Sequence, residues 1–276
     1  MNYGVPLELL ESLKDSSHKF FNLSPEEKSL FSSEVMSAST KVMYGTSFVP
    51  EKEKTLEWRD FLSLGYTTDE DALRYWPNQC MKETLEYLKL SSKVVRDIVE
   101  VLIENLGVKL EKSRIEILCC MKQIQLNYYP QCPNPDLTVG VGRHSDIGAI
   151  TVLLQDNIGG LYAKYDNEHN NDEEWLEIPP IPGALVIFIG DTIEILSNGK
   201  YKSSEHRVKT RSTKSRVSVA LFNFPKPTEK IGPLEELVKK DGVARYKQVV
   251  FQDYMNNFFA NTHHGKESSL DFAKST

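Results

Sequence analysis

The 276-residue sequence predicts an α+β fold, mainly β, in which a jelly-roll core of strands is flanked by helices. Apolar residues recur at helical spacing in residues 1–115. Short apolar or alternating runs, separated by Gly, Pro, Asn and Asp, then occupy residues 116–226, and helical spacing returns in residues 227–276. We therefore expect an N-terminal helical region packing on the core, the β core itself, and a C-terminal helical extension.

The clearest helical signals lie in the first region. Ser24, Pro25 and Glu27 stand in the order of an N-cap, a first helical residue and a capping-box partner. A helix should therefore begin at Pro25. Apolar residues between Met81 and Leu106 repeat along one face, which predicts one long helix with a buried side.

The middle region contains runs typical of short strands, such as "KQIQLNYY", "AITVLLQ", "GALVIFIG" and "SRVSVALFNFP". We also interpret "IEILSNG" as a strand. It ends in Asn198-Gly199, a dipeptide that favours a two-residue hairpin turn. The chain should therefore fold back at this point into "KYKSSEHRV".

Composition and charge narrow the function classes. The formal net charge is −6 and the basic residues are scattered, so we expect no nucleic-acid partner. No apolar run approaches the roughly 20 residues of a membrane span, and the N-terminus lacks the pattern of a secretory signal. The four cysteines have no C-x-x-C spacing, which indicates reduced thiols. We expect a cytoplasmic monomer with no membrane partner.

A candidate metal site interrupts the apolar stretch "VGVGRHSDIGAI". In a strand, His144 and Asp146 point to the same face, so both can reach one metal ion, whereas Ser145 faces the other way and has no expected role. His206, in "SSEHRVKT", completes a 2-His-1-carboxylate set, the arrangement of non-haem Fe(II) oxygenases. An H-x-D pair also arises by chance, so the pair alone does not establish a metal.

A candidate anion site lies ten residues beyond His206. Arg216 and Ser218 alternate in "SRVSVALFNF" and therefore share one strand face. A guanidinium binds a carboxylate through two parallel hydrogen bonds, and a neighbouring hydroxyl can add a third. Two alternatives stay open: pairing with an acidic residue of the protein, and a surface arginine near Arg211 with no ligand.

In that order and spacing, "NYYPQCPNPDL", "GVGRHSDIGAITVLLQD", "IPPIPGALVIFIGD", "SNGKYKSSEHRV" and "SRVSVALFNFPKP" resemble the plant Fe(II)/2-oxoglutarate-dependent dioxygenases. The resemblance covers about residues 1 to 262. It implies a double-stranded β-helix and a metal site for Fe(II). The implied metal ligands are His144, Asp146 and His206; the implied 2-oxoglutarate contacts are Arg216, Ser218, Tyr129 and Asn127; and Phe222 matches a position that often faces the aromatic substrate.

The resemblance also implies an activity. Such enzymes oxidatively decarboxylate 2-oxoglutarate to succinate and CO2 and use O2 to hydroxylate a second substrate, with ascorbate as a supporting reductant. Several segments most resemble the hydroxycinnamoyl-CoA ortho-hydroxylases, so we expect ortho-hydroxylation of feruloyl-CoA or p-coumaroyl-CoA, leading to scopoletin or umbelliferone. Met43 and Tyr44 lie in a segment that varies with substrate and are expected substrate contacts, with core or lid packing as the alternative.

The chain departs from the family in one respect. Family members carry several dozen residues before the stretch that resembles "NYGVP", whereas here that stretch is residues 2–6. We expect a short form to be less stable and less active. Two alternatives stay open: a flavonoid, alkaloid or hormone oxidase on the same scaffold, and an inactive β-barrel that binds a small molecule.

Overall fold

The computed structural model describes residues 3–46, 57–165, 174–260 and 266–275. The helices are α1 (Leu7–Phe21), α2 (Pro25–Ser29), α3 (Asp69–Tyr75), α4 (Met81–Asn105), α5 (Lys112–Leu118), α6 (Asp191–Leu196), α7 (Glu235–Asp241), α8 (Phe251–Ala260) and α9 (Lys266–Asp271). The strands are β1 (Val42–Gly45), β2 (Asp60–Tyr66), β3 (Met121–Tyr129), β4 (Val141–His144), β5 (Ile150–Gln155), β6 (Leu161–Tyr165), β7 (Glu174–Glu177), β8 (Val186–Ile189), β9 (His206–Val208), β10 (Arg216–Phe224), β11 (Lys230–Ile231) and β12 (Val249–Val250). No helix within the described ranges is both long enough and apolar enough to cross a membrane.

Antiparallel strands form the core of the molecule. Among the described residues, one sheet has the strand order β1-β2-β3-β10-β5-β8, a second has the order β4-β9-β6-β7, and β11 pairs with β12. Apolar side chains from both larger sheets form one buried cluster: Tyr129, Leu153, Leu161, Phe188, Val208 and Ala220. Two antiparallel sheets with a shared apolar interior confirm the predicted jelly-roll core.

Helices α1 and α4 cover the outer face of the six-stranded sheet. Leu62 of β2 and Leu126 of β3 belong to the same buried cluster as Leu13 of α1 and Val95 of α4. The outward face of the sheet is therefore buried under helices. The opposite face of β3 and β10 carries the residues of the candidate active site.

Both helices that the sequence predicted most clearly are confirmed. Helix α4 runs from Met81 to Asn105, and α2 begins at Pro25 behind a complete capping box. The Glu27 N–H donates to Ser24 Oγ at 3.2 Å, and the Ser24 N–H donates to the Glu27 carboxylate at 3.0 Å. Such a cap stabilises a helix by about 1 kcal/mol.

The sequence predicts a helical N-terminal region over residues 1–115, but the structure also contains strands there. Strands β1 and β2 extend the six-stranded sheet, with Leu62 opposite Leu126 of β3. Residues 61–64 are buried at four consecutive positions. A strand covered on both faces lacks the polar–apolar alternation that marks a half-buried strand, so its pattern is easily missed. The six-stranded sheet therefore includes two strands from residues 1–115, the region predicted to be helical.

The predicted strand and hairpin around Asn198-Gly199 are wrong. Residues 191–196 form helix α6, in which every residue is buried. A short, fully buried run cannot be told from a strand by periodicity alone. Asn198 and Gly199 do adopt the left-handed conformation, with φ of 55° and 79°, but they end this helix, where the Gly199 N–H donates to the Glu194 carbonyl at 2.9 Å.

The cysteines are free thiols, as their spacing predicted. Burial raises the pKa of Cys80 and that of Cys119 to about 12. Both thiols therefore stay protonated at neutral pH, and neither is a candidate nucleophile.

Candidate active site

The residues predicted to bind a metal meet at one point in the structure. His144 is the last residue of β4, His206 is the first residue of β9, and the two are paired across these strands. Asp146 follows two residues after His144. The Nε2 atom of each histidine lies 3.8 Å from a different oxygen of the Asp146 carboxylate. One ligand atom from each of the three residues can be chosen so that all lie within 4.8 Å of one another.

Both imidazole rings are oriented by a backbone carbonyl two residues earlier in the chain. His144 Nδ1 lies 2.9 Å from the Gly142 carbonyl oxygen, and His206 Nδ1 lies 3.1 Å from the Ser204 carbonyl oxygen. A carbonyl oxygen only accepts, so in each neutral ring Nδ1 donates and the lone pair is on Nε2. Phe188 stacks on His206, with ring centroids 4.2 Å apart. Both lone pairs are therefore held toward Asp146, as in metal-binding histidines whose other nitrogen is hydrogen-bonded.

The electrostatics of the cluster suit a cation. Burial, together with the neighbouring His144, lowers the pKa of His206 to about 4, so this ring is neutral at pH 7. Asp146 Oδ2 is buried and accepts no hydrogen bond from any described residue. Two imidazole lone pairs and a buried carboxylate oxygen without a donor are the groups that a divalent metal satisfies. Two histidines and one carboxylate, with other positions open, fit Fe(II).

Ser145, which strand alternation left without a role, is part of a fully buried network. Its Oγ donates to the Asp191 carboxylate at 3.2 Å, and the Tyr254 hydroxyl of α8 donates to the same oxygen at 2.8 Å. The Asp191 N–H in turn donates to the Asp146 carbonyl at 2.7 Å. Asp191, the first residue of helix α6, thus holds both the Ser145 side chain and the Asp146 backbone in place.

Arg216 occupies a buried position with the features of an anion site. Only 2% of its surface is exposed, and its guanidinium donates to Ser218 Oγ at 3.0 Å and to Gln155 Oε1 at 3.2 Å. Its Nε has no partner, and no carboxylate of the described chain pairs with it. A buried charge without a counter-charge is costly. The arrangement therefore favours an anionic ligand over the surface arginine that the sequence left possible.

The two other predicted 2-oxoglutarate contacts lie on β3, beside this arginine. Tyr129 is opposite Arg216 in the strand register, and the guanidinium carbon stands 5.0 Å from the centroid of its ring. Asn127 is opposite Ser218, and its Oδ1 accepts from Arg59 Nη1 and from Gln125 Nε2, each at 3.0 Å. The structure thus brings the four residues together on two neighbouring strands, while their individual roles stay predictions.

A cavity of about 160 Å³ lies next to the triad. Its apolar wall contains Phe222 and Phe224, whose rings lie nearly parallel with centroids 5.9 Å apart. The full lining is Glu57, Arg59, Gln123, Gln125, Val141, Gly142, Arg143, His144, Ser145, Asp146, Ile147, Phe222, Phe224, Phe258, Phe259 and Ser269. Because two triad residues belong to it, a ligand in this cavity lies beside the metal position.

The structure separates the three predicted substrate contacts. Phe222 lines the cavity, whereas Met43 and Tyr44 are absent from the described lining. The Tyr44 ring packs against Phe20 with centroids 6.0 Å apart, and its hydroxyl donates to Asp60 at 3.2 Å, which is the packing alternative. Met43 lies opposite Ser63 of β2. Of the variable segment that contains them, residues 47–56 fall outside the described part of the chain.

Sequence reasoning missed Gln123 and Gln125, which line the polar side of the cavity. The signal was present in "KQIQLNYY", where polar residues alternate toward Asn127 and Tyr129. It was the same two-residue spacing that identified His144 and Asp146. This spacing is less informative in β3 because an amide, unlike an imidazole or a carboxylate, does not suggest a particular chemistry.

Comparison with known proteins places this geometry in a family. Residues 120–225 match the 2OG-Fe(II) oxygenase superfamily, and residues 1–83 match the N-terminal family described as non-haem dioxygenase in morphine synthesis. The chain is 58% identical over 274 residues to scopoletin 8-hydroxylase of Arabidopsis thaliana, which covers 99% of this chain and 75% of that protein. It is 47% identical over 275 residues, with the same coverage, to a feruloyl CoA ortho-hydroxylase of Ipomoea batatas.

Solved structures share the fold. A crystal structure of JOX2 in complex with 2OG, Fe and JA matches with a TM-score of 0.86 at 33% identity, covering 100% of this chain and 81% of that chain. A dioxygenase for auxin oxidation from rice matches with a TM-score of 0.79 at 21% identity, covering 100% of this chain and 88% of that chain. With relatives this similar along nearly its whole length, the chain belongs to the 2OG-Fe(II) oxygenase superfamily and is an Fe(II)- and 2-oxoglutarate-dependent dioxygenase.

Proposed function

We propose that this dioxygenase hydroxylates the aromatic ring of a phenolic coumarin such as scopoletin. The observation that carries the proposal is the cavity beside the triad. Its stacked phenylalanines suit a flat aromatic ring, and the neighbouring amides of Gln123 and Gln125 suit the oxygen substituents of that ring.

The charges around the cavity favour a substrate without phosphates. Arg59 and Arg143 line it, but each is paired with a carboxylate: Arg59 Nη2 lies 2.6 Å from Glu57, and Arg143 Nε lies 2.8 Å from Glu205. A CoA thioester carries several negative charges and needs cations that are not already compensated. Within the described lining, both arginines are compensated, which suits a neutral phenol better.

The relatives support the same choice of substrate class. Identity to scopoletin 8-hydroxylase is 58%, compared with 46% to 47% for the feruloyl CoA ortho-hydroxylases. The resemblance of several sequence segments favours a CoA ester, whereas the paired arginines and this difference in identity favour the coumarin.

In this proposal each part of the site has one task. His144, Asp146 and His206 hold Fe(II), which, when bound, supplies the activation of O2 that is coupled to decarboxylation of 2-oxoglutarate. Arg216 and Ser218 bind the distal carboxylate of 2-oxoglutarate, with Tyr129 and Asn127 beside them. Phe222 and Phe224 orient the substrate ring so that one C–H bond faces the metal position.

A second candidate is ortho-hydroxylation of feruloyl-CoA or p-coumaroyl-CoA. Several relatives at 46% to 47% identity carry these names. In that case the phenol ring would occupy the same cavity, while the CoA moiety would extend outside it and rely on cations beyond the lining.

Separate incubations with scopoletin, feruloyl-CoA and p-coumaroyl-CoA test the proposal. Each contains purified protein, Fe(II), 2-oxoglutarate, ascorbate and O2, and each is followed by succinate release and by mass spectrometry of the product. We expect scopoletin to gain one oxygen atom, with succinate formed in equal amount. Coumarin formed from a CoA ester, with scopoletin unchanged, would select the second candidate, and omission of Fe(II) serves as the control.

A further inference from the structure

The inner face of β3 carries a row of polar side chains that continues from the cosubstrate site into the cavity. Asn127 lies beside Ser218, whereas Gln125 and Gln123 line the cavity, with Gln123 opposite Phe222 of β10. Gln125 is 7% exposed, so its amide is almost wholly enclosed by protein. A buried amide must place four hydrogen-bonding sites among the available partners.

The orientation of the Gln125 amide follows from its neighbours. A guanidinium can only donate, so the atom of Asn127 that faces Arg59 Nη1 at 3.0 Å is its carbonyl oxygen. The Gln125 amide lies 3.0 Å from the same oxygen and must present its nitrogen there. Gln125 Oε1 is therefore turned away from Asn127, and no described residue donates a hydrogen bond to it.

We infer that Gln125 is a specificity-determining residue whose Oε1 accepts a hydrogen bond from the free phenolic hydroxyl of the substrate. The inference rests on the proposed function and refines it, because it selects a free phenol over the corresponding methyl ether. A methyl ether has no proton to donate, and its extra carbon would be pressed against an acceptor that then remains unpaired. Rejection of an analogue that lacks the required hydroxyl proton is strong when the partner group is buried.

The position of Gln125 also links substrate recognition to the cosubstrate site. Its nitrogen donates to Asn127 Oδ1, which also accepts from Arg59, and Asn127 is paired with Ser218 in the sheet. A purely structural role, in which Gln125 only positions Asn127, would use the nitrogen alone. The two roles thus depend on different atoms of one side chain and can be separated by substitution.

Two variants separate these roles. Gln125→Met removes both the donor and the acceptor at similar length, whereas Gln125→Glu removes the donor to Asn127 and keeps an acceptor oxygen. The ratio of kcat/KM for scopoletin to that for its 7-O-methyl ether reports phenol selection, and the KM for 2-oxoglutarate reports the Asn127 side. Melting temperatures of both variants, loaded with metal and 2-oxoglutarate, check folding.

We expect the wild-type enzyme to prefer scopoletin by about tenfold or more, Gln125→Met to lose most of this preference, and Gln125→Glu to retain it. Any change in the KM for 2-oxoglutarate should be shared by both variants, since both lose the donor. A preference unchanged in Gln125→Met, or absent in the wild type, would overturn the inference, as would loss of the preference in both variants.

Failure of the proposed function gives a different result. If scopoletin is not turned over, the same ratio is measured with feruloyl-CoA and its 4-O-methyl ether, which differ in the same way. Preference for the free phenol that depends on Gln125 would then support the inference while the choice of scopoletin fails. Turnover of scopoletin with no dependence on Gln125 would support the function and reject the inference.

Discussion

Strands β3 and β10 present one continuous face, and its two ends differ in chemistry. At one end, Arg216 and Ser218 stand opposite Tyr129 and Asn127. At the other end, about 20 Å away along a strand, Phe222 stands opposite Gln123. The first end contains a buried charge without a counter-charge, whereas the second contains aromatic rings and neutral amides.

Under the proposed function, one end of the sheet binds a constant partner and the other end binds a variable one. An arginine enclosed among neutral groups is satisfied by a carboxylate, so the first end is committed to an anion whatever the second substrate is. Rings and amides set shape and hydrogen-bonding pattern only, so the second end can change its substrate without disturbing the anion site. Each substitution below should therefore affect one end, except where it removes the metal that both ends share.

The largest effect is expected from His206→Ala. Removing one of three protein ligands leaves His144 and Asp146, which do not hold a divalent metal well. We expect succinate release and substrate hydroxylation to fall to background, and Co²⁺ binding to the apo protein, measured by calorimetry, to be lost. His18→Ala, on helix α1, is the matched control and should leave both unchanged. Wild-type succinate output from His206→Ala would show that the triad is wrongly assigned.

The residues that cluster in the candidate metal and anion sites could be selected from the sequence because their residue types carry chemistry by themselves. A histidine, an aspartate or an arginine on the inward face of a strand needs a partner, and the two-residue period of a strand shows which residues share that face. Gln125 obeys the same period. Its value as an acceptor, however, depends on Arg59, which directly precedes β2 in the chain and fixes the amide orientation.

Contacts between distant parts of the chain could not be predicted. Ser145 meets Asp191 across 46 positions, and Asp191 meets Tyr254 across 63. Most of the helix that begins at Asp191 lies in "IEILSNG", for which the sequence predicts a strand, because a run buried on all sides shows no period. Likewise, the sequence placed Tyr44 in a substrate-variable segment, but only the folded chain shows its ring on Phe20.

Arg216→Lys should affect the anion end alone. An ammonium cannot reproduce the planar fork of a guanidinium, so at least one charge-assisted hydrogen bond to the carboxylate is lost. We expect the KM for 2-oxoglutarate to rise about 10- to 100-fold, while the KM for the aromatic substrate changes little. Arg211→Lys is the matched control, because Arg211 pairs with Glu177 on the surface. An unchanged affinity for 2-oxoglutarate would remove Arg216 from this role.

Ser145→Ala tests whether the buried network positions the metal ligands. The substitution removes one donor to Asp191 and loosens the residue between His144 and Asp146. We expect Co²⁺ affinity of the apo protein to fall by up to about tenfold, the lower end of the loss seen when groups that orient ligands are removed. Ser17→Ala is the control for lost stability, because Ser17 is also fully buried but donates to the Leu13 carbonyl, away from the metal ligands. If Ser145→Ala and Ser17→Ala bound Co²⁺ with equal affinity, the Ser145 network would contribute to stability only and not to the position of the metal ligands.

The smallest effect is expected at the cavity end, from Phe222→Leu. Leucine keeps most of the apolar contact but loses the aromatic interaction with the substrate ring, a contribution of about 0.5–1.5 kcal/mol, so we expect the KM for the aromatic substrate to rise about two- to tenfold. Kinetics with each substrate varied in turn should show no change in the KM for 2-oxoglutarate. Phe31→Leu, which alters an aromatic contact with Phe20 on the helical side of the sheet, is the control. An equal change in the KM for the aromatic substrate and the KM for 2-oxoglutarate would show that the two ends of the sheet do not act separately. A substitution among neutral rings would then have altered the surroundings of Arg216, at the other end of the same strand.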